Sequence, residues 1–350
     1  MAKETGTATD YINLLAKINT FLTTVATGWT NLRADIGAEA EYIWEGTAGK
    51  APSAEITFGL KSYHDVADGY YNWEIRGMNG YAAGNSFETQ PGASKPAYVP
   101  LQNTTISYWF WATDRRIFCV LKTGTNYQSF HAGFLNSFAT DEDNQYPYPL
   151  LVAGCARLRN QKFTDNPQHY SSILNPSTDS TQTVGTTFNS LATGYVRMPD
   201  GAWLDVANFI TNEYSNQQMT TGPGVRVSPR FRYNLDYVNE ESSITAGTRT
   251  SFGGLFAATA TGDTPATYLD QTENDAGDPI TPLFPLTLVS HYPNPIPLGE
   301  IHGVYACTNR GGLVSEDTLT DTAPAPDDTY IFFQNVWRTD GWEYFAVLDE

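Results

Sequence analysis

The segment from Ile106 to Leu135 reads ISYWFWATDRRIFCVLKTGTNYQSFHAGFL, and it predicts a β protein. Its first part, ISYWFWA, is apolar or aromatic on both alternating sets of positions, which is typical of a strand covered on both faces. The turn-forming stretches TDRR and TGTN separate it from the runs IFCVLK and YQSFHAGFL. We therefore expect a meander of three antiparallel strands, with His131 half-buried on the third.

The composition of the whole chain extends this expectation to the rest of the fold. The 350 residues include 21 Tyr, 18 Phe, 8 Trp, 29 Gly and 20 Pro. Aromatic residues favour strands, and glycine and proline favour the turns that join them. We predict a mainly β fold, a β-sandwich or barrel-like body over residues 31–350, with an amphipathic α-helix in residues 1–30.

The predicted helix carries one apolar stripe. Its residues recur at helical spacing and are Tyr11, Leu14, Leu15, Ile18, Phe21, Leu22 and Val25. Thr9 or Asp10 would cap the first turn, and Gly28 would end the helix. The stripe must be buried, either in its own domain or against a neighbouring subunit. Because the helix precedes the β body, we favour the neighbouring subunit.

Three other segments carry structural expectations. Residues 164–194 are rich in Ser, Thr, Asn and Gln, which indicates a surface excursion or a small insertion. The segment from Tyr330, YIFFQNVWRTDGWEYFAVL, predicts a hairpin around RTDG, with the face of Ile331 and Phe333 the better candidate for burial. In QYPYPLLVAGCARL, from Gln145, the prolines predict a rigid corner at Tyr146, Pro147, Tyr148 and Pro149, followed by a strand.

Charge and cysteine content limit the partners. The formal net charge is −18 and no basic stripe interrupts it, so we expect no direct binding to nucleic acid, whose affinity depends on cations. Cys119, Cys155 and Cys307 are odd in number and widely spaced, which favours a reducing compartment over disulfides or zinc. No signal peptide or bilayer-spanning stretch is apparent, so we expect no membrane partner.

No pattern in the sequence indicates catalysis. The five histidines lack metal-site spacing, and no nucleophile elbow, P-loop or dinucleotide motif occurs. Two acidic stretches, Asp141 to Asp143 and Asp270 to Asp278, could offer oxygens to calcium, but ordinary solvated loops are the simpler interpretation. We expect no enzymatic activity, no catalytic or metal residues and no cofactor.

Several segments, in their shared order, resemble virion structural proteins encoded in the tail gene clusters of tailed bacteriophages. They are the opening MAKETGTATDYINLLAKINTFL, the meander with the Tyr-Pro step, PLGEIHGVYACT with SEDTLT, and the terminal YIFFQNVWRTDGWEYFAVLDE. The resemblance implies a building block of the tail, neck or baseplate without catalysis. It would contact other virion proteins and copies of itself in a symmetric assembly. Its location would be the virion, after synthesis in the host bacterial cytoplasm.

Two other functions remain open at this stage. The first is a phage receptor- or glycan-binding protein, with or without hydrolytic activity, which predicts an exposed Trp or Tyr and a carboxylate pair in one groove. The second is a capsid decoration protein with the same fold and a different partner. For the assembly role, the candidate interface residues are Tyr11, Leu14, Leu15, Ile18, Phe21, Leu22, Tyr146, Pro147, Tyr148 and Pro149.

Overall fold

The computed structural model describes residues 1–37, 39–47, 56–137, 149–156, 159–160, 162, 194–198, 201–207, 225–229, 283–290, 296–307, 312–320, 328–334 and 344–350. The fold is mainly β, and every strand pairing that it describes is antiparallel. The chain divides into two compact units, Met1–Ile173 with Val184–Ala207, and Leu174–Thr183 with Asn208–Glu350. This differs from the single body that we expected over residues 31–350, because the second unit buries an apolar cluster of its own.

The first unit contains thirteen strands and an N-terminal helix. The strands are β1 Ala2–Ala8, β2 Trp29–Asp35, β3 Glu41–Gly46, β4 Ile56–Asp65, β5 Tyr70–Met78, β6 Ala97–Val99, β7 Ile106–Ala112, β8 Arg116–Thr123, β9 Asn126–Phe134, β10 Asn136–Ser137, β11 Leu150–Ala153, β12 Gly194–Arg197 and β13 Trp203–Ala207. One sheet has the order β2-β3-β4-β5-β6, and the other has the order β1-β7-β8-β9-β11-β12-β13.

The meander predicted from the sequence is confirmed. Strands β7, β8 and β9 pair in sequence order, and Gly124, at φ 62°, forms the second turn. Both faces of the meander are buried, since neighbouring residues such as Phe110 and Trp111 are both 0% exposed. For the same reason His131 is fully buried, and the expectation of a half-buried histidine was wrong.

The helix α1, Tyr11–Thr20, continues as a π-helical turn over Phe21–Val25. Asp10 caps it as expected, because its Oδ1 accepts hydrogen bonds from the backbone N–H groups of Ile12 at 2.9 Å and Asn13 at 2.7 Å. Residues 1–30 are nevertheless not a helix alone, since β1 precedes it and β2 begins within the same span. The strand β1 is polar, and only its pairing with β7 defines it.

The apolar stripe of the helix lies in the core of its own unit except for Val25, which is 46% exposed, contrary to the expectation that the whole stripe is buried. The Phe21 ring packs 5.5 Å from that of Phe110 in one sheet, and Trp73 of the other sheet donates from Nε1 to the Tyr11 carbonyl at 3.0 Å. The exposed fraction is between 0 and 6% for each of the buried stripe residues, which are Tyr11, Leu14, Leu15, Ile18, Phe21 and Leu22. The unit is therefore a sandwich of two sheets with a helix packed between them. The expected contact of this stripe with a neighbouring subunit was wrong, because these side chains have almost no surface left to offer.

The second unit contains a sheet in the order β14-β15-β16-β19-β18-β17. Its strands are β14 Val225–Pro229, β15 Phe284–Ser290, β16 Ile296–Cys307, β17 Thr318–Thr320, β18 Thr329–Gln334 and β19 Tyr344–Leu348. The pairing of β18 with β19 confirms the two strands of the hairpin predicted from Tyr330, while its predicted turn RTDG lies outside the described residues. The preference for one face was wrong, because Phe332 and Phe333, on opposite faces, are both 0% exposed.

Candidate functional site

The structure brings together only some of the residues singled out from the sequence. The six helical interface candidates meet in the core of the first unit. Pro149 is buried, and its carbonyl accepts a hydrogen bond from the Leu135 N–H at 3.0 Å. Tyr146, Pro147 and Tyr148 lie outside the described residues, as do both acidic stretches and residues 164–193.

A loop to which the sequence analysis assigned no function forms a well-ordered surface feature of the first unit. This capping loop, residues 79–95, follows β5 and covers the outer face of the β2–β6 sheet. Its Phe87 is buried there in a cluster with Ile43 and Met78. Gly59 provides the space, since a Cβ at that position would lie 2.5 Å from the Phe87 ring. The sheet and the loop are thus fitted to each other.

Gln90 holds the capping loop in one conformation. Its side-chain Nε2 donates to three carbonyls, of Ala82 at 3.1 Å, Asn85 at 3.0 Å and Ser86 at 3.2 Å. Its Oε1 accepts from the Ala82 N–H at 2.8 Å. Gln90 is only 3% exposed, so these bonds are shielded from competing water.

Trp203 on β13 fixes the far end of the loop. Its indole lies over Gly77, where a Cβ would overlap the ring, and its Nε1 donates to the Gly92 carbonyl at 2.6 Å. Asn79 adds a second link, donating from Nδ2 to the Gly201 carbonyl at 2.9 Å. Strand β13 and the loop therefore support each other.

A groove of about 630 Å³ opens between the end of β2 and the capping loop. Its lining is mainly polar and consists of Leu32, Arg33, Ala34, Asp35, Glu41, Tyr81, Ala83, Gly84, Asn85 and Ser86. Such a volume lies within the range of about 300–1,000 Å³ seen for small-molecule sites. Tyr81, Asp35 and Glu41 all line this groove. Asp35 on β2 lies directly opposite Glu41 on β3 in the strand register.

Arg33 links the sheet to the loop inside the groove. Its guanidinium forms an ion pair with Glu41, lies 5.4 Å from the Tyr81 ring centre, and donates from Nη2 to the carbonyls of Ala83 at 3.1 Å and Asn85 at 2.7 Å. Burial opposes the charge, but the hydrogen bonds with Glu41 and Tyr81 outweigh it and raise the pKa of Arg33. Arg33 thus holds the capping loop against the end of the sheet.

Other charged side chains in and beside the groove are Asp35, Lys61 and Glu88. Asp35 is 72% exposed and contacts Arg33 only at 3.8 Å, so its carboxylate can accept hydrogen bonds from a bound polar molecule. On the adjacent surface, the Lys61 ammonium bonded to Glu88 lowers the pKa of that carboxyl to about 2. The groove can therefore bind a polar ligand or a protein surface through the largely exposed carboxylate of Asp35 and through exposed backbone.

Arg33, Tyr81 and Gln90 could not be found as a set from the sequence, since 48 residues separate the first two. The available signal was the density of Gly, Asn, Ser and Pro between positions 79 and 95, which indicates a loop. That signal does not identify what the loop contacts.

Burial favours the neutral form of His131 and of the three cysteines. Burial, followed by the charge of Arg116, lowers the pKa of His131 to about 3, although its Nδ1 contacts the Leu151 carbonyl at 3.2 Å. Burial also raises the pKa of Cys155 to about 12 and that of Cys119 and Cys307 well above the usual thiol value. Within the described ranges, no three His, Cys, Asp or Glu side chains are grouped to hold a metal ion.

Comparison with known proteins identifies no relative: no protein-family model and no curated protein matches the chain. In the part of the chain that the structure describes, no helix is long and apolar enough to cross a bilayer.

Proposed function

We propose that the protein is a structural component of a tailed-phage virion, located in the tail, neck or baseplate. It acts by assembling with other virion proteins and with copies of itself. The resemblance of its segments to tail-cluster proteins supports this proposal, as does the capping loop, which is the observation that carries it.

The capping loop has the properties of a preorganised docking surface. Its outermost residues, Ala83, Gly84, Asn85 and Ser86, are all exposed, while Gln90 and Arg33 fix the backbone beneath them. Docking onto such a loop costs little additional ordering entropy, so a modest contact area gives useful affinity. Functional contacts commonly lie on loops that a rigid scaffold positions.

The test is to locate the chain in purified particles. We expect mass spectrometry to detect it in intact virions at a fixed copy number, and a virion map to place it in the tail, neck or baseplate. A map that places it on the capsid surface would instead identify a decoration protein. Its absence from particles, with the chain free in the cytosol, would contradict the proposal.

A variant pair links the proposal to the capping loop. Gln90→Ala removes the bonds that fix residues 82–86, and we expect a folded protein that enters particles poorly. Asn103→Ala, an exposed change outside the loop, is the control and should enter particles normally. Equal incorporation of both variants would show that the loop is not the docking surface.

A second candidate function, glycan binding, is favoured by one observation. The groove combines Tyr81 with the carboxylates of Asp35 and Glu41, which is part of the arrangement that this alternative requires, although Tyr81 is half-buried and not exposed. Against it, Glu41 is already paired with Arg33. If the groove binds glycans, Tyr81→Ala should abolish binding on a glycan array, whereas Tyr63→Ala, which removes another ring in contact with an arginine, should not. An array on which the unmodified protein binds nothing would exclude this candidate.

A further inference from the structure

The sheet edges of the protein differ in how they are protected from further pairing. Among the described strands of three or more residues, β1, β2, β6 and β17 have a neighbouring strand on one side only. An unprotected edge strand presents backbone N–H and C=O groups that a further strand can pair with, and natural proteins commonly block such edges.

Three of these edges carry a recognisable block. Strand β2 has a register shift between Asn31 and Arg33, which is a bulge. Strand β6 has only three residues, and Tyr98 at its centre exchanges backbone hydrogen bonds with Ala156 at 2.9 and 3.1 Å on the other side. Strand β17 is also limited to three residues. Each is too short, too distorted or already covered.

Strand β1 is longer than β6 and β17, has no register shift, and pairs along its outer edge with no other strand in the described part of the chain. It pairs with β7 over seven consecutive residues, from Ala2 opposite Ala112 to Ala8 opposite Ile106, without a register shift. It contains no proline, and Thr5 and Thr7 are exposed. Glu4 is bound on the side of the sheet, where it accepts a hydrogen bond from the Tyr108 hydroxyl at 2.8 Å.

We propose that β1 pairs antiparallel with β1 of a second copy of this chain, related to the first by a two-fold axis at Thr5. Among the described edge strands of a second copy, β1 is the one that is both long and free of register shifts, and two identical antiparallel edges meet about a two-fold axis. Placing the axis at Thr5 allows all seven residues to pair.

This register is also compatible with the side chains. It sets Thr5 opposite Thr5, Glu4 opposite Gly6, Lys3 opposite Thr7 and Ala2 opposite Ala8. No like charges face each other, and threonine pairs across strands are favourable. The sheet of each copy would continue into that of its partner, which covers both β1 edges at once.

Sedimentation equilibrium of the full chain over a wide concentration range is the first test, and we expect a monomer–dimer equilibrium. Thr5→Lys places two like charges opposite each other on the axis and should weaken the dimer by at least about tenfold. Thr30→Lys, the same change at an exposed position of the blocked β2 edge, should leave it unchanged. A monomer at all concentrations, or a dimer insensitive to Thr5→Lys, would overturn the proposal.

Cross-linking tests the register separately. Residues directly opposite in an antiparallel pair have Cα atoms about 4.5–5.5 Å apart, within the range that a disulfide spans. Thr5→Cys should therefore form a covalent dimer on oxidation, and Thr7→Cys, which would face Lys3, should not. The natural cysteines are buried and do not compete. Cross-linking through position 7 but not position 5 would refute the axis at Thr5.

The inference needs only the fold, so its failure would leave the virion proposal standing. If the dimer forms in solution but the chain is absent from particles, the dimer inference stands and the virion proposal fails.

Discussion

Asn19 joins the helix to the sheet that covers it. Its Oδ1 accepts hydrogen bonds from Trp44 Nε1 at 3.0 Å and from Asn31 Nδ2 at 2.8 Å. Trp44 is 0% exposed, so its indole N–H has no access to bulk water if Asn19 is removed. A single side chain thus satisfies a buried donor and fixes the position of α1.

Asn19→Ala should lower the free energy of unfolding of the first unit by about 1–3 kcal/mol, which is the usual effect of leaving a buried donor unsatisfied. Urea denaturation measures this change. Thr20→Ala, an exposed neighbour whose hydroxyl bonds the Ala16 carbonyl, is the control and should cost far less. Equal losses from the two variants would argue against a special role for Asn19.

His131 gives the fold a pH dependence whose sign follows from its burial. Its pKa of about 3 in the folded state lies below the value of about 6.5 in an unfolded chain. Between these two values the unfolded state binds a proton that the folded state does not, so stability falls as pH falls from about 6.5 towards 3.

His131→Gln should remove this contribution. The stability of the natural protein should decline by up to about 1.4 kcal/mol per pH unit more steeply than that of the variant below pH 6.5 or so. Urea midpoints measured at a series of pH values test this, with values above pH 7 or so as the baseline. Parallel curves for the two proteins would show that His131 is not the responsible group.

Among the elements, the terminal hairpin shows what a two-sided strand requires. Phe332 stacks on Tyr344 at 4.7 Å between ring centres, and Phe333 stacks on Phe345 at 5.5 Å on the opposite face. Both rings are removed from water, so neither face of β18 is a solvent face.

Truncating either ring should therefore be damaging. Phe332→Ala and Phe333→Ala should each cost about 3–5 kcal/mol, as for other buried phenylalanines. Thr318→Ala on the exposed surface of β17 is the matched control and should change stability by less than about 0.5 kcal/mol. Denaturation curves measure both losses. A loss of unfolding free energy that is small for Phe333→Ala would mean that the second face is loosely packed.

Local patterns in the sequence were sufficient for the meander, the helix cap and the hairpin, because each depends on contacts within about 30 residues. The patterns could not reveal β1, whose pairing with β7 joins positions about 100 residues apart in the sequence. They also could not tell the neighbouring subunit from the chain's own second sheet as the surface that buries Leu14 and Leu15. The Arg33 groove was inaccessible for the same reason, since Arg33, Tyr81 and Gln90 meet only after β2, β3 and the capping loop have assembled.

At the scale of the whole molecule, two units with separate apolar clusters should respond separately to denaturation. We expect two unfolding transitions in calorimetry or urea titration. Asn19→Ala should move one transition and Phe332→Ala the other, because these residues lie in different units. A single transition that both variants move equally would instead indicate that the two units unfold cooperatively.

All three cysteines of the chain are buried, Cys119 and Cys155 in the first unit and Cys307 in the second. An alkylating reagent can therefore modify each sulfur only when the surrounding structure opens. The rate at which each cysteine is alkylated therefore reports how often the structure around it opens. Two cysteines report on the first unit and one on the second. Local opening of each unit can thus be followed in the natural protein without introducing a label.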